Sequence, residues 1–319
     1  MRRACSLLAA ILLLCLCITP SANAFDFRFS DFYGVADRSS VIVQYAPNGA
    51  VRSSLAVQLP QYSYGFNGLA FGPDRLLYAV VAQHSGFIVL ALDSSGAVQR
   101  TYTHSDYIAG DVADGKICFD NAGRFYVGTG SGLVRFDRNG SSTGTRIYSE
   151  QGSVQDVMLL RNGNLMVAAG LWLLEITPNG QYVRQFSISD PNNLLPPNAL
   201  TLRDCNAFDY DPRTNSMFTY ALGDSAFPQR LCKFDASTGA LLAYRSWPGV
   251  NDMVVANDGR LIVANWHLYN TRIYSSNLVI LGTFGGSPTA FITQCVPEPS
   301  SMTILACGLG ALLLRRRRR

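Results

Sequence analysis

Apolar residues recur through the middle of the chain as pairs of short runs, and each pair is joined by a tight polar turn. The turns are rich in Asp, Asn, Gly or Pro, and the arrangement occurs five times. Because such turns supply the backbone conformations that hairpins need, each stretch predicts a β-hairpin. The five stretches are GLAFGPDRLLYAVV (68–81), KICFDNAGRFYVGT (116–129), DVMLLRNGNLMVAA (156–169), AFDYDPRTNSMFTYA (207–221) and DMVVANDGRLIVAN (252–265).

A third element of alternating apolar and polar residues follows every hairpin and ends in another turn. Its five versions are IVLALDSSGAV, GLVRFDRNGSS, WLLEITPNGQYV, RLCKFDASTGALL and TRIYSSNLVIL. A repeat of about 40 to 50 residues with about four strands in each unit is typical of a β-propeller. A β-sandwich also contains regularly spaced strands, but it does not account for the long period.

The segment FSDFYGVADRSSVIVQYAPNGAVRSSL (29–55) resembles a unit that lacks its first strand. A propeller can close by taking that strand from the other end of the chain, which removes an exposed sheet edge. We expect the closing strand around Thr289 to Cys295. The sequence therefore predicts an all-β fold, a propeller of six four-stranded blades, although the repeat is also compatible with five or seven.

The first 24 residues have the pattern of a cleavable secretory signal. Two arginines precede an apolar run from Leu7 to Ile18, and small residues follow at Ala22 and Ala24. Signal peptidase cuts after such small residues, so we expect a signal helix over residues 1–24 that is removed after Ala24.

The last 24 residues combine three features in a fixed order. Val296-Pro297-Glu298-Pro299 comes first, an uncharged segment from Ser300 to Leu314 follows, and five arginines end the chain: Arg315, Arg316, Arg317, Arg318 and Arg319. A helix of fifteen residues is about 22 Å long, shorter than the roughly 30 Å hydrocarbon core, but terminal arginines can extend their charges to the headgroups. The pattern predicts a single transmembrane helix whose arginine end stays in the cytoplasm.

This combination of a Pro-Glu-Pro motif, one helix and an arginine cluster resembles the PEP-CTERM sorting signal of bacteria that make exopolysaccharide. The resemblance implies recognition of residues 296–319 by an exosortase, a membrane cysteine protease-transpeptidase that removes the helix and the basic tail. The prolines suit this role because they keep the segment extended. We therefore expect a bacterial protein that is transiently anchored in the inner membrane and then reaches the cell surface or the exterior.

Charge excludes one class of partner for the body of the chain, residues 25–295. The sequence carries 26 basic and 22 acidic residues, but seven of the basic residues lie in the two terminal signals. Without the signals and Glu298, 19 basic residues face 21 acidic ones. A body near −2 has no basic surface for nucleic acid, and we expect no nucleic-acid partner.

Four cysteines remain once the two terminal signals are set aside: Cys118, Cys205, Cys232 and Cys295. An exported protein resides where disulfides persist, and four cysteines allow three full pairings. We expect a disulfide between Cys205 and Cys232, because both belong to one repeat unit. Cys118 lies in an apolar strand, where a buried thiol is expected.

Polar residues recur at the beginning of the first strand of each unit. The innermost strands of a propeller line its central channel, so these side chains are expected to form a ring at one mouth. A concave ring of carboxylates and amides is a candidate binding site. Its expected members are Asn67, Asp114, Asp156, Asn206 and Asp252.

Two of these segments, NGLAFGPD from Asn67 and DGKICFD from Asp114, resemble motifs of the gluconolactonase and senescence-marker-protein family of six-bladed propellers. The resemblance implies that Asn67 and Asp114 ligate a divalent metal such as Ca²⁺, which prefers oxygen ligands. The glutamate that completes the family's site has no counterpart in FDFRFSDFYG at the predicted mature N-terminus. The same segments also resemble NHL propellers, in which these residues only begin a strand.

Two functional hypotheses follow from these observations. The first is a non-enzymatic, exported binding or scaffold propeller, without a cofactor, that contacts exopolysaccharide or envelope proteins. It is favoured because the sequence contains no complete catalytic set. The alternative is a metal-dependent, lactonase-like hydrolase of the gluconolactonase family.

Overall fold

A computed structural model describes the body of the chain with several gaps. The described residues are 25–36, 39–106, 116–169, 172–186, 203–222, 230–246, 249–265, 270–284 and 291–294. The predicted signal peptide and sorting signal lie outside them, as do their residues Ala22, Ala24, Val296 to Pro299 and Arg315 to Arg319. Within the described ranges, no helix is long and apolar enough to cross a membrane.

Twenty-four strands form six antiparallel four-stranded sheets, which we number as blades in chain order. Blade 1 contains β24 (Phe291–Gln294), β1 (Phe32–Val35), β2 (Val41–Tyr45) and β3 (Val51–Ala56). Blade 2 contains β4 (Ser63–Phe71), β5 (Leu77–Gln83), β6 (Gly86–Leu92) and β7 (Val98–His104). Blade 3 contains β8 (Ile117–Phe119), β9 (Arg124–Thr129), β10 (Gly132–Asp137) and β11 (Thr145–Tyr148).

The other three blades have the same order from the first strand to the fourth. Blade 4 contains β12 (Val154–Leu159), β13 (Leu165–Ala169), β14 (Trp172–Ile176) and β15 (Tyr182–Gln185). Blade 5 contains β16 (Arg203–Asp211), β17 (Ser216–Leu222), β18 (Arg230–Asp235) and β19 (Leu241–Ser246). Blade 6 contains β20 (Asp252–Val255), β21 (Leu261–Asn265), β22 (Asn270–Tyr274) and β23 (Ile280–Thr283).

The five predicted hairpins are confirmed as the first two strands of blades 2 to 6. Their turns follow the chemistry that the sequence indicates. In blade 3, for example, the Gly123 N–H donates to the Asp120 carbonyl at 3.0 Å, and Gly123 adopts a positive φ of 79°. A side chain is disfavoured at such a φ, so the glycine stabilises the turn. The prediction of a six-bladed, four-stranded propeller is confirmed.

The ring closes by pairing the two ends of the body, as the sequence predicts. The last strand, β24, pairs with β1 in blade 1, with Phe32 opposite Gln294. The Gln294 side chain reinforces this closure on both sides: it donates to the Ser30 carbonyl at 3.0 Å and accepts the Asn257 N–H at 2.8 Å. Because Asn257 follows β20, Gln294 also connects blade 1 to blade 6.

The hydrophobic core is divided among the interfaces between blades. Six clusters of buried side chains occur, and each contains residues of two neighbouring blades. Between blades 2 and 3, for example, Phe125 stacks on Phe136 at 4.8 Å, and Tyr78 packs against Phe125. Burying one such side chain contributes about 2 to 3 kcal/mol, so every blade depends on both neighbours.

Arginines also connect neighbouring blades through backbone carbonyl groups. Among the described residues, such a bond occurs at five of the six interfaces, and an arginine of the earlier blade donates in each. The donor and acceptor pairs are Arg100 to Arg138 (3.2 Å), Arg135 to Pro178 (3.5 Å), Arg184 to Ser237 (3.3 Å), Arg245 to Leu278 (3.3 Å) and Arg260 to Pro47 (2.9 Å).

The predicted disulfide between Cys205 and Cys232 is wrong. Cys205 lies on β16 and Cys232 on β18, and β17 separates these two strands within blade 5. Neighbouring strands are about 4.8 Å apart, so the two Cα atoms are separated by roughly 10 Å. A disulfide requires a Cα separation below about 7 Å. The two cysteines belong to one sheet, as their shared repeat unit predicts, but β17 lies between their strands.

Candidate functional site

The first strands of the six blades contact one another in cyclic order and surround the centre of the ring. Equivalent positions on them follow from the hairpin register: Asp156 pairs with Ala168, Ala207 with Tyr220 and Asp252 with Ala264. Lys116 occupies the same position directly before β8. The charged residues at this level therefore meet in the central channel.

The Lys116 ammonium group lies at the centre of this arrangement. Its Nζ atom is 2.6 Å from Asp252 Oδ1 and 3.0 Å from Asp156 Oδ2. It also donates to the backbone carbonyls of Phe208, at 3.3 Å, and Met253, at 3.4 Å. Because Lys116 belongs to blade 3 and Asp252 to blade 6, directly opposite, the lysine side chain crosses the channel.

Three aspartates connect successive blades through backbone N–H groups. Asp156 Oδ2 of blade 4 accepts the Phe208 N–H of blade 5 at 2.8 Å. Asp209 Oδ2 of blade 5 accepts the Val255 N–H of blade 6 at 2.6 Å, and Asp252 Oδ2 of blade 6 accepts the Ile292 N–H of blade 1 at 2.8 Å. We call Lys116, Asp156, Asp209 and Asp252 the channel cluster.

Each of these aspartates also binds its own strand. The second oxygen of Asp156, Asp209 and Asp252 accepts the N–H of the following residue at 2.7, 2.8 and 2.7 Å. The carboxylates thus accept hydrogen bonds on both oxygens, and only 1% of the Asp156 side chain and 4% of the Asp252 side chain is exposed. A buried carboxylate needs such partners, since an unpaired one is costly.

The channel cluster contains one cation and three carboxylates. Burial and the neighbouring charges shift the pKa values of all three carboxylates. Burial raises the pKa of Asp156 to about 7, although Lys116 opposes the rise and Asp252 adds to it. Burial likewise raises the pKa of Asp209 to about 6, and it raises the pKa of Asp252. Near neutral pH, the cluster therefore retains a proton that free aspartates would have lost.

The pKa of Lys116 also rises, although burial acts on it in the opposite direction. Burial alone would lower the pKa of the Lys116 ammonium, but the charges of Asp156, Asp252 and Asp209 outweigh burial and raise this pKa above its ordinary value. Lys116 is therefore a permanent cation over the whole physiological range, and protonation changes in the cluster belong to the carboxylates.

Cys118 lies two residues beyond Lys116 and is partly buried. Burial, together with the charges of Asp156, Asp209 and Asp120, raises the pKa of its thiol. A thiol held in its neutral form is a poor nucleophile, so Cys118 lacks the character of a catalytic cysteine.

The structure brings together only part of the polar ring predicted from the sequence. Asp156 and Asp252 converge on Lys116, and Asn67 lies buried on β4. Asn206 belongs to β16, in a part whose side chains are outside the description, and Asp114 lies outside the described residues. Sequence reasoning did not select Lys116 or Asp209. Lys116 could have been found from the repeat alignment, because it is a basic residue at the position where two other units carry Asp156 and Asp252.

The described residues of the channel do not fit the divalent metal that the sequence resemblance implies. No group of three or more His, Cys, Asp or Glu side chains within the described ranges could hold a metal ion. The oxygens of Asp156 and Asp252 already bind the Lys116 ammonium and backbone N–H groups. Asp31, the buried aspartate near the N-terminus, pairs with Arg52 at 2.9 Å. The proposed ligand Asp114 lies outside the described part of the chain.

Comparison of the sequence with protein-family models and with curated proteins finds no match. Solved structures do match. The nidogen/laminin complex contains a chain with a TM-score of 0.61 and 11% identity, covering 83% of this chain and 98% of that one. A functionally unknown protein from Desulfotomaculum acetoxidans matches with a TM-score of 0.52 and 12% identity, covering 88% of this chain and 94% of that one.

A gluconolactonase from Xanthomonas campestris is also similar, with a TM-score of 0.50 and 15% identity over 85% of this chain and 89% of that one. The similarity agrees with the propeller fold of the chain. At such low identities the structural matches concern the fold alone, because unrelated functions share propeller folds.

The channel cluster predicts a pH-dependent effect of removing its cation. Lys116→Met leaves three buried carboxylates without a counter-charge, so we expect the free energy of unfolding at pH 8 to fall by about 3 to 5 kcal/mol. The folded-state pKa values of Asp156 and Asp209 exceed the ordinary 3.8, so their contribution to stability is present below pH 4 and lost as pH rises through 6 to 7. The loss should therefore be smaller at pH 5. Urea unfolding at both pH values measures the difference.

The second lysine of the chain provides the control. Lys233 lies above the Phe218 ring at 5.7 Å, so the effect of Lys233→Met should be the same at both pH values. Adding Asp156→Asn to Lys116→Met should recover part of the lost stability at pH 8. An equal loss for Lys116→Met at pH 5 and pH 8 would contradict the assigned electrostatics.

Proposed function

We propose that this chain is an exported, exosortase-processed β-propeller that serves as a binding or scaffold protein for exopolysaccharide or envelope proteins. One observation supports a binding role best: the charged side chains of the channel cluster bind one another and the backbone. The rim and the outer strands therefore remain for ligands.

The outer strands carry large exposed side chains that suit a binding surface. Tyr182 of β15 is 56% exposed, Tyr244 of β19 is 40% exposed and Leu281 of β23 is 57% exposed. Each belongs to the fourth strand of its blade, far from the channel. Aromatic side chains with one apolar face and one polar atom are common in interfaces, so Tyr182 and Tyr244 support recognition at the rim.

The metal-dependent hydrolase receives less support. It requires a metal in the channel, whereas the oxygens of Asp156 and Asp252 are bonded to Lys116 and to backbone N–H groups. The gluconolactonase similarity extends to the fold and does not transfer an activity. A binding protein requires no such centre and is compatible with the arrangement of the channel cluster.

The proposal of export rests on the two ends of the sequence. A signal peptide over residues 1–24 directs the body across the membrane, and the Pro-Glu-Pro segment with its helix and arginines holds the chain until exosortase acts. The near-neutral body agrees with a protein that meets polysaccharide or protein in the envelope instead of nucleic acid.

The binding role predicts retention of an envelope component by the propeller. Residues 25–295 include all 24 described strands, among them the closing strand β24, so this part forms the complete ring. Immobilised protein should retain the host's own exopolysaccharide or a defined envelope protein, measured by sugar analysis and mass spectrometry of the eluate. The same protein unfolded before immobilisation is the control. Failure to retain any component above this control would remove the support for the binding role.

The sorting role predicts a processing defect when the Pro-Glu-Pro segment changes. Replacing Pro297 and Pro299 by alanine should leave the full-length chain in the inner membrane, because a flexible segment no longer offers the extended shape. Immunoblots of membrane and medium fractions measure the release. Pro288→Ala, outside the motif, should be processed normally. Normal release of the double variant would contradict the sorting assignment.

A further inference from the structure

A polar cleft opens on the rim between blades 2 and 3. It encloses about 390 Å³, within the range of small-ligand sites. The outer strand β7 forms one wall, and the turn between β10 and β11 forms the other. The residues that line it include Arg100, Thr101, Arg138, Asn139, Gly140 and Ser142.

The two walls of the cleft are joined by backbone hydrogen bonds. Thr103 N–H donates to the Ser142 carbonyl at 2.8 Å, and Gly144 N–H donates to the Thr103 carbonyl at 3.3 Å. The Tyr102 hydroxyl donates to the Arg138 carbonyl at 2.8 Å. These bonds fix the separation of the walls, so the cleft is preorganised for a ligand.

Two guanidinium groups in the cleft share one carboxylate. Arg100 Nη1 and Arg138 Nη1 each lie 3.7 Å from Asp74 Oδ2, too far for a hydrogen bond. Asp74 Oδ2 instead accepts the Tyr78 hydroxyl at 2.9 Å. Arg138 Nε is buried and has no acceptor among the described residues. The two guanidinium groups therefore share a single carboxylate within 4 Å, and Arg138 keeps a donor without an acceptor among the described residues.

Three arginines at other blade interfaces, in contrast, are hydrogen-bonded to a carboxylate of their own blade. Arg184 forms a bond of 2.7 Å with Glu175, and Arg260 forms one of 2.8 Å with Asp258. Arg213 also bonds its own aspartate, Asp211, at 2.7 Å. Each of these arginines contacts the next blade while a carboxylate of its own blade neutralises it. Between blades 2 and 3, two cations compete for Asp74, and neither forms a hydrogen bond with it.

We propose that this cleft binds a carboxylate group of an acidic polysaccharide through Arg100 and Arg138. The assignment rests on the proposed binding function and names the site and the chemistry of its ligand. Guanidinium groups bind planar carboxylates through paired N–H donors, and Arg100 is 44% exposed and accessible. Thr101, Asn139 and Ser142 add hydroxyl and amide groups that can bind sugar hydroxyls beside the carboxylate.

Calorimetry with an oligogalacturonide tests the assignment on the folded propeller, residues 25–295. We expect saturable binding that weakens as salt is added, because the contact is charged. Arg100→Gln and Arg138→Gln should each weaken binding about tenfold or more, since a hydrogen bond to a charged group is lost. Both changes leave the Arg138 backbone carbonyl and its bond to Tyr102 in place.

Arg245→Gln is the matched control. Arg245 lies on β19, the outer strand of blade 5, and donates to the Leu278 carbonyl as Arg100 donates to that of Arg138. It should alter stability as Arg100→Gln does, but not oligogalacturonide binding. Thermal unfolding of every variant confirms that the ring remains folded.

The assignment would be overturned by no binding of the oligogalacturonide, equal binding of its neutral methyl ester, equal loss in Arg245→Gln, or equally tight binding of inorganic phosphate. Tighter binding of an acidic peptide than of the oligogalacturonide would also overturn it in favour of a protein ligand. The proposed binding function is tested separately. If the propeller retains exopolysaccharide but the Arg100 and Arg138 variants retain it equally, the cleft assignment fails and the binding function stands.

Discussion

The backbone N–H groups along the free edge of each inner strand are the constraint on which the centre of the ring depends. Each inner strand pairs with its own blade on one side only, and a buried N–H without an acceptor is costly. Asp156, Asp209 and Asp252 supply acceptors for Phe208, Val255 and Ile292 of the following blades. Lys116 then compensates part of the carboxylate charge and links the opposite side of the channel.

The period of the sequence was sufficient to predict much of the fold, because the turn residues and apolar strands of each blade are local features. Closure by β24 was also predictable, since a unit without its first strand requires one from elsewhere. Contacts across the ring could not be predicted from the sequence. Lys116 and Asp252 are 136 positions apart, and their pairing depends on opposite blades meeting at the channel. Asp209 is two positions beyond Ala207, the aligned residue, so alignment of the repeats overlooked it.

The centre and the rim of this propeller consequently have different properties. Charged groups in the channel bind one another and the backbone, and they contribute to the connection between blades. Three arginines between blades, Arg184, Arg213 and Arg260, are hydrogen-bonded to a carboxylate of their own blade. Between blades 2 and 3, Arg100 and Arg138 share Asp74 without a hydrogen bond and line a cleft, which is why we assign ligand binding to that part of the rim.

Native-state hydrogen exchange of the Phe208, Val255 and Ile292 amides tests the central claim most directly. If the inner-strand carboxylates hold these N–H groups, they should exchange only when the whole ring unfolds, with the same free energy as amides in the middle of β5. Asp156→Asn should speed the exchange of Phe208 more than that of Val255. Exchange of all three amides at the rate of exposed turns in the wild-type protein would contradict the account.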